Sequence, residues 1–514
     1  MIDLLIVAAY FLFVMLIAIW GRQKKEVTSE EYFLSSRSLR WPSIAFSTIA
    51  TNIQGYQFLG MMGSAYLYGL AQASLEINAV QGILLASFIF IPYYLKDKII
   101  TITQFIKKRL GKRVALLYSL ANISLFSTIT IGAALFWGAY AADVVFGEYL
   151  SLLHPDRITR ITLLIVMLGL FSAIYTYLGG LSAVVRTDII QFMVLISGGL
   201  VVMFMAVHHL GGWSALYIKT PQLMHLHLPS DHEKLPWTHI FGLFLLNINY
   251  WCANQSIVQR SLAAKSLRHA QIGLMVGGLM KYLMAVIIVV PGIALVGILG
   301  DNGLSDPDMS FTYLVNTYLP MGAKGLVLCA LFASLMSTVD STFNSLATLW
   351  SVDIYKGYLH KDATDLQMVE AGRQAILFSF VTGVTVGILL LYLKFSHPNA
   401  AFTHTLNELR YYINCGIVVI ICAAAFLVAP QYKVTFVAFL ATIILQFIFK
   451  SFFPEMNYFV RAMWIILIGF TLIFLFSKTQ FKNPRTLFQT GSKQIQKLGF
   501  GMLISLILLH IIFH

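Results

Sequence analysis

A chain of 514 residues with 58% hydrophobic and only 11% charged side chains is not an ordinary soluble protein, in which about a quarter of the residues are charged. The formal net charge of +13 does not point to nucleic acid, because the basic residues lie between long apolar runs and form no continuous stripe. Four cysteines, all within apolar segments, show neither a disulfide framework nor a CxxC pair.

A run of about 20 apolar residues crosses the hydrocarbon core as a helix, because lipid offers the backbone no hydrogen-bond partner but itself. Barrel strands would alternate in polarity, and these runs do not. The expectation is therefore an all-α, polytopic membrane protein of about fourteen spans, at 3–20, 42–69, 74–95, 115–148, 161–178, 183–208, 236–257, 272–299, 320–349, 372–394, 408–429, 433–452, 457–476 and 495–513. The first run starts at Leu4 behind Asp3, with no basic n-region and no cleavage site, and is read as a retained span. Basic residues follow the first span (Arg22, Lys24, Lys25, Arg37, Arg40), the third (Lys96, Lys98, Lys107, Lys108, Arg109, Lys112, Arg113) and the seventh (Arg260, Lys265, Arg268), and precede the last (Lys478, Lys482, Arg485, Lys493, Lys497). The positive-inside rule places these loops in the cytoplasm and both termini outside, in a plasma or bacterial inner membrane. The loop of Asp301, Asp306 and Asp308 falls on the outer side.

Two spans are polar at their middle. The second reads STIATNIQGYQ from Ser47 to Gln57, and the seventh reads NINYWCANQ from Asn247 to Gln255. They are five spans apart, an odd number, so they enter the membrane from opposite sides. That is the pattern of two inverted five-helix repeats, 42–208 and 236–429, with a leading helix at 3–20 and trailing helices at 433–513, all in one membrane unit of residues 1–514. Discontinuous helices at matching positions of two repeats point to a transport site, because unwound backbone offers carbonyls and half-helix ends to an ion or solute. The alternative is that these polar groups only hold helices together.

Three longer motifs carry a family resemblance. They are YTYLGGLSAVVRTDIIQ from Tyr175 to Gln191, NYWCANQSIVQRSLAAK from Asn249 to Lys265, and FNSLATLWSVDIY from Phe343 to Tyr355. In this order they resemble the sodium:solute symporter family, and within it the sodium/glucose cotransporter branch with its bacterial sodium/galactose members. The resemblance runs to about residue 430 and implies the five-plus-five inverted repeat, alternating access and no enzymatic activity.

The ninth span carries Ser334, Ser337, Thr338 and Ser341 at helical spacing, one stripe of hydroxyls able to face a hard cation, or simply to pack helices closely. The resemblance implies a sodium site of the Ala50, Ile53 and Ser334 carbonyls and the Ser337 and Thr338 hydroxyls. Asp188 is an acid inside a span, a functional candidate by default; its alternative is a solvated acid paired with Arg186. Asp340 departs from the family, whose members carry a small or hydroxyl residue there. Asp188, Asp340 and Ser341, with Ser337, form a candidate second cation site or ion exit; the alternative is that Asp340 is bonded locally.

A sugar's hydroxyls both donate and accept, so their recognition needs amides and carboxylates. At membrane depth stand Asn52 and Gln57 in the second span, Glu76 opening the third, Asn247, Tyr250 and Trp251 in the seventh, and Lys281 within the eighth. Glu76 and Lys281 are expected to neutralise each other, either around a solute or for structure alone; Tyr250 and Trp251 are alternatively interfacial anchors. The resemblance implies hexose hydrogen bonds from Gln57, Glu76, Asn247 and Lys281, an inner gate at Tyr250 beside Trp251, and part of an outer gate at Met61. Leu75, Ala79, Thr130 and the stretch Asn407–Asn414, with its charges Glu408 and Arg410, depart from the galactose pattern.

The sequence thus predicts sodium-driven import of a hexose such as galactose or glucose. Its partners are the solute, sodium as coupling ion and the lipid bilayer, with no other cofactor. Rival solutes are a polyol such as myo-inositol, a sialic acid or an amino acid, the acidic ones calling for Arg410. A nontransporting solute sensor is the rival of another class. An enzyme would need a catalytic dyad or metal cluster: His208 and His209 are adjacent, and His225, His227 and His232 lie in an outer loop.

Overall fold

The computed structural model describes residues 2–20, 27–55, 57–396, 402–488 and 491–514, apart from the side chains of 402–407, 485 and 486. Arg22, Lys24, Lys25 and the side chains of Asn407 and Arg485 lie outside the described residues. Among those described the chain is helical, with three isolated bridges and no strand. Eleven helices among the described residues are long and apolar enough to cross a membrane.

Eight elements position the site: α1 (Ile2–Ile19), α2 (Trp41–Asn52), α3 (Ser74–Ile77), α4 (Arg157–Leu210), α5 (His239–Ile248), α6 (Gln255–Leu262), α7 (Leu267–Leu299) and α8 (Ala323–Thr348). α4 joins the predicted fifth and sixth spans in 54 residues. A straight helix of that length would measure about 80 Å, far more than a hydrocarbon core of about 30 Å. Gly180, at φ 54° and ψ −148°, breaks it. A side chain there would be strained and its Cβ would come within 2.3 Å of the Tyr32 carbonyl oxygen. The Tyr32 hydroxyl in turn donates to the Thr176 and Tyr177 carbonyls at 3.2 and 3.0 Å, capping the first half of α4.

α8 is the centre of the molecule: every residue from Val327 to Thr348 is buried. Polar side chains survive there because their hydroxyls bond back to the preceding turn, as Thr342 does to the Thr338 carbonyl at 2.7 Å and Ser345 to that of Ser341 at 2.8 Å.

Both polar spans are broken as the sequence predicts, and with the same backbone. α2 ends at Ile53, φ −84° and ψ 117°, and helix resumes at Gln57 as a π-turn. α5 runs through a π-turn, Asn249–Ala253, into Asn254 at φ −85° and ψ 114°, after which α6 begins. The Asn254 side chain caps α6 by accepting from the Ser256 amide at 3.0 Å. Freed carbonyls at this second break are taken by buried tyrosines: Tyr94 donates to Cys252 O at 2.8 Å and Tyr118 to Ala253 O at 2.5 Å.

One boundary needs correction. The predicted seventh span stops at 257, leaving Arg260 among the loop charges, but α6 continues to Leu262 and Arg260 is 1% exposed. Its polar face, Gln255, Ser256, Gln259 and Arg260, turns inward and reads as a loop only if burial is inferred from hydropathy.

Candidate functional site

The two breaks and α7 enclose a cavity of about 470 Å³. Asn52, Gln57, Met61, Glu76, Asn247, Tyr250, Trp251 and Lys281 all line it, as do the departures Leu75, Ala79 and Thr130. A hydrogen-bond chain crosses its floor. Tyr250 Oη accepts from Asn52 Nδ2 at 2.9 Å, and Asn52 Oδ1 accepts from Lys281 Nζ. Lys281 pairs with Glu76 Oε2, whose other oxygen accepts from Gln57 Nε2 at 2.9 Å. Gln57 Oε1 accepts from the Gln54 amide at 2.8 Å, tying the chain to the unwound backbone. Asn247 is fixed separately, donating to Asn78 O at 3.1 Å.

Glu76 and Lys281 are both almost fully buried, so neither charge would be tolerable without the other. Tyr250 and Trp251 meet edge to face at 5.3 Å and 70°, with Trp251 buried; Trp251 is thus an internal wall, not an interfacial anchor. Lys234, Lys394, Arg410 and Asp308 line the cavity too, an excess of positive charge among these four. Glu408 does not line it: it pairs with Arg461 and with Lys450 at 2.9 Å.

Beyond the first break lies a second polar cluster, between α2, α4, α6 and α8. Thr338 Oγ1 is 3.2 Å from the Thr51 carbonyl and 3.1 Å from the Ser334 carbonyl, between the buried residues Ala50 and Ile53 in sequence. Gly55 lies against α8 as well: a Cβ there would stand 3.6 Å from Ser334 Oγ, an ordinary contact. The Ser337 hydroxyl donates to Asp188 Oδ1, and Ser47 Oγ donates to Asp188 Oδ2 at 2.5 Å. Ser337 and Thr338 of α8, with Ser334 one turn before, are thus set against Thr51 at the end of α2, which lies between Ala50 and Ile53 in sequence.

Arg260 completes this cluster and was not among the predicted site residues. Its guanidinium lies 3.1 Å from Asp188 Oδ2, and donates to Ser47 Oγ at 2.8 Å, Thr51 Oγ1 at 2.7 Å, Ser341 Oγ and the Ser256 carbonyl. Asp188 is thus wholly buried and paired with Arg260, not solvated and not paired with Arg186, which bonds the Ile17 and Ala18 carbonyls. Asp340 stands next to this pair, receiving hydrogen bonds from Tyr175 Oη at 2.5 Å and Ser341 Oγ at 3.2 Å. Ser47, Thr51, Tyr175 and Arg260 were missed; their helical register with Asp188 and Ser337 partners is a tertiary fact that no single segment displays.

The histidines form no metal centre among the described residues. His225 and His227 instead meet the end of the chain, through the His514 carbonyl and the His510 ring, each at 2.9 Å.

Comparison with known proteins gives consistent results. A family model described as the sodium:solute symporter family matches residues 32–426. A sodium/glucose cotransporter of Vibrio parahaemolyticus is 32% identical over 419 residues, covering 76% of this chain and 75% of that protein. Sodium/glucose cotransporter 4 of Mus musculus is 31% identical over 418 residues, covering 74% of this chain and 59% of that protein. Among solved structures, the substrate-bound outward-open state of a Na+-coupled sialic acid symporter superposes with a TM-score of 0.79 at 19% identity, over 93% of this chain and 99% of the other.

Proposed function

The chain belongs to the sodium:solute symporter family, and on that premise we propose that it couples inward movement of sodium to uptake of a sugar of hexose size by alternating access. The observation that carries this reading is the hydrogen-bond chain Tyr250–Asn52–Lys281–Glu76–Gln57 along the cavity. It alternates donors and acceptors, as ring hydroxyls require, and sits under an aromatic wall. The matched breaks at Ile53 and Asn254 support a fourteen-span arrangement of two inverted repeats, 42–208 and 236–429, with flanking helices at 3–20 and 433–513. Both termini would then face outward from a plasma or bacterial inner membrane.

Sodium would be held by the Ala50, Ile53 and Ser334 carbonyls with the Ser337 and Thr338 hydroxyls. Its ligands come from both α2 and α8, so it favours the conformation in which those helices are close. That conformation sets Asn52 and Gln57 against Lys281 and Glu76 ready for the sugar, so each ligand lowers the cost of binding the other. Tyr250, held by Asn52, is the inner gate, Trp251 its support and Met61 part of the outer gate. Asp188 borders the ion's exit toward the cytoplasm. A second cation among Asp188, Asp340, Ser337 and Ser341 would have to share Asp188 and Ser341 with Arg260.

The chain spans about three fifths of the mouse relative, and its solute is read from its own cavity. Arg410 and Lys394 favour one second reading, a sugar bearing a carboxylate, such as a sialic acid. Uptake of labelled glucose, galactose, myo-inositol and sialic acid into proteoliposomes separates these. Sodium-dependent accumulation of a neutral hexose is the expected result; accumulation of sialic acid alone would replace the hexose reading with the acidic one.

A further inference from the structure

Residues 28–40, ahead of α2, form a strap whose backbone is strained at one point. Ser35, Ser36 and Arg37 are consecutive and none is glycine, yet all have positive φ, 50°, 51° and 48°. In that left-handed region Cβ crowds the following carbonyl oxygen, so a run of three such residues persists only where other contacts impose it. Arg37 supplies them. Its guanidinium donates to the Leu262 carbonyl at 3.1 Å, the Lys98 carbonyl at 2.9 Å and the Ile99 carbonyl at 3.2 Å, and pairs with Glu30 at 2.8 Å. Leu262 ends α6, and Lys98 and Ile99 follow the helix Ile91–Lys96. Last-turn carbonyls have no partner within their helix, and a planar cation serves several at once. Leu39 adds main-chain pairing at the same end of α6, donating to the Ala263 carbonyl at 3.0 Å and accepting from the Lys265 amide at 2.9 Å.

The strap is fastened to α4 as well. Tyr32 bonds the Thr176 and Tyr177 carbonyls before the Gly180 turn, and Ser35 Oγ lies 2.7 Å from Ser182 Oγ after it. Ser182 precedes Asp188 by six residues, about 9 Å of helix, and Leu262 follows Arg260 by two. The strap therefore joins the same two elements as the Asp188–Arg260 ion pair, and close to it. An opening there between α6 and the second half of α4 has to undo both.

We propose that Arg37 and the turn Ser35–Ser36–Arg37 form a strained latch that holds the ion exit shut, with Arg37 as a positioning residue of the transport cycle. The proposal rests on the sodium-symport reading, in which Asp188 borders that exit. Arg37 does not line the solute cavity; it acts through the end of α6. While its hydrogen bonds last, they hold the turn in its left-handed form. When they part, the turn relaxes, and the strain released offsets part of the cost of separating Asp188 from Arg260. The latch thus sets how readily the inner side opens without touching ion or solute.

The Ser36 side chain is exposed, so substitutions there act on the backbone. Ser36→Gly removes the left-handed penalty and is expected to tighten the latch; Ser36→Val raises that penalty and is expected to loosen it, as is Arg37→Gln. Hydrogen–deuterium exchange of residues 182–190 and 255–265, in the purified full chain in nanodiscs with sodium or choline, tests this. Exchange in both segments is expected to slow roughly fivefold in Ser36→Gly and to quicken by about as much in Ser36→Val, the scale of one left-handed residue. Arg37→Gln is expected to quicken it roughly tenfold, the scale of hydrogen bonds to a charge. The helix Trp213–Lys219, remote in sequence from the strap and both segments, is expected to exchange alike in all. Exchange that moves the same way in Ser36→Gly and Ser36→Val, or that ignores all three variants, overturns the latch. If sodium slows exchange no more than choline while the two Ser36 variants still diverge, the latch stands and the sodium reading falls. Should Arg37→Gln not fold, the Ser36 pair decides.

Discussion

In the proposed function one residue pair, Glu76 and Lys281, serves both stability and recognition. Each is buried, and each charge is held by the other. Glu76→Gln strands the ammonium, and breaking a buried pair from one side costs about 3–5 kcal/mol. Thermal unfolding is expected to show that loss, and sugar uptake to vanish. The double variant Glu76→Leu/Lys281→Met is expected to recover most of the stability but none of the uptake; recovered uptake would show that the pair does not touch the solute. Arg260 behaves differently, because its planar fork serves five partners at once. Lysine cannot reproduce that geometry, so Arg260→Lys is expected to impair sodium-driven uptake by roughly tenfold or more despite the kept charge. Wild-type uptake in that variant would mean that the charge alone matters. These two cases mark what a sequence displays. Ionisable residues inside apolar runs, such as Glu76, Lys281 and Asp188, announce themselves because lipid forbids them without a purpose. Arg260 sits at a span end, where the positive-inside rule supplies a ready explanation, and only the fold shows that it turns inward.

At the level of elements, the breaks and the Gly180 turn decide where side chains point. Polar runs within the second and seventh spans made both breaks legible, and the Gly179–Gly180 pair separated the fifth and sixth spans. The identical backbone at Ile53 and Asn254, and the tyrosines that satisfy the freed carbonyls, come from distant segments and could not be read locally. Asn254→Ala removes the cap of α6 and is expected to cost about 1 kcal/mol. Because α6 carries Arg260, that change is expected to weaken ion binding as well as lower the melting temperature; an unchanged sodium affinity would show that the cap is structural only. Gly180→Ala faces both a left-handed backbone and the Tyr32 carbonyl at 2.3 Å. It is expected to abolish folded protein in the membrane, scored by monodisperse yield after solubilisation, whereas Gly111→Ala, at φ 87° with open space around it, is expected to give a smaller loss.

For the molecule as a whole, coupling requires that sodium and sugar each bind the two access states unequally. Reversing a hundredfold bias between states takes about 5.5 kcal/mol of differential binding. In the proposed mechanism one junction supplies it: the end of α2 meets α8 at Thr51 and carries Asn52 into the cavity, so moving α2 would change both proposed sites together. The central claim is therefore that sodium bound at Thr338 drives sugar accumulation. The most direct test is uptake of labelled hexose into proteoliposomes under an inward sodium gradient, with and without gramicidin, for the wild type and Thr338→Ala. The account predicts accumulation above the external concentration that gramicidin collapses and that Thr338→Ala lacks. Accumulation in Thr338→Ala equal to the wild type, or hexose equilibration indifferent to the gradient, would contradict it.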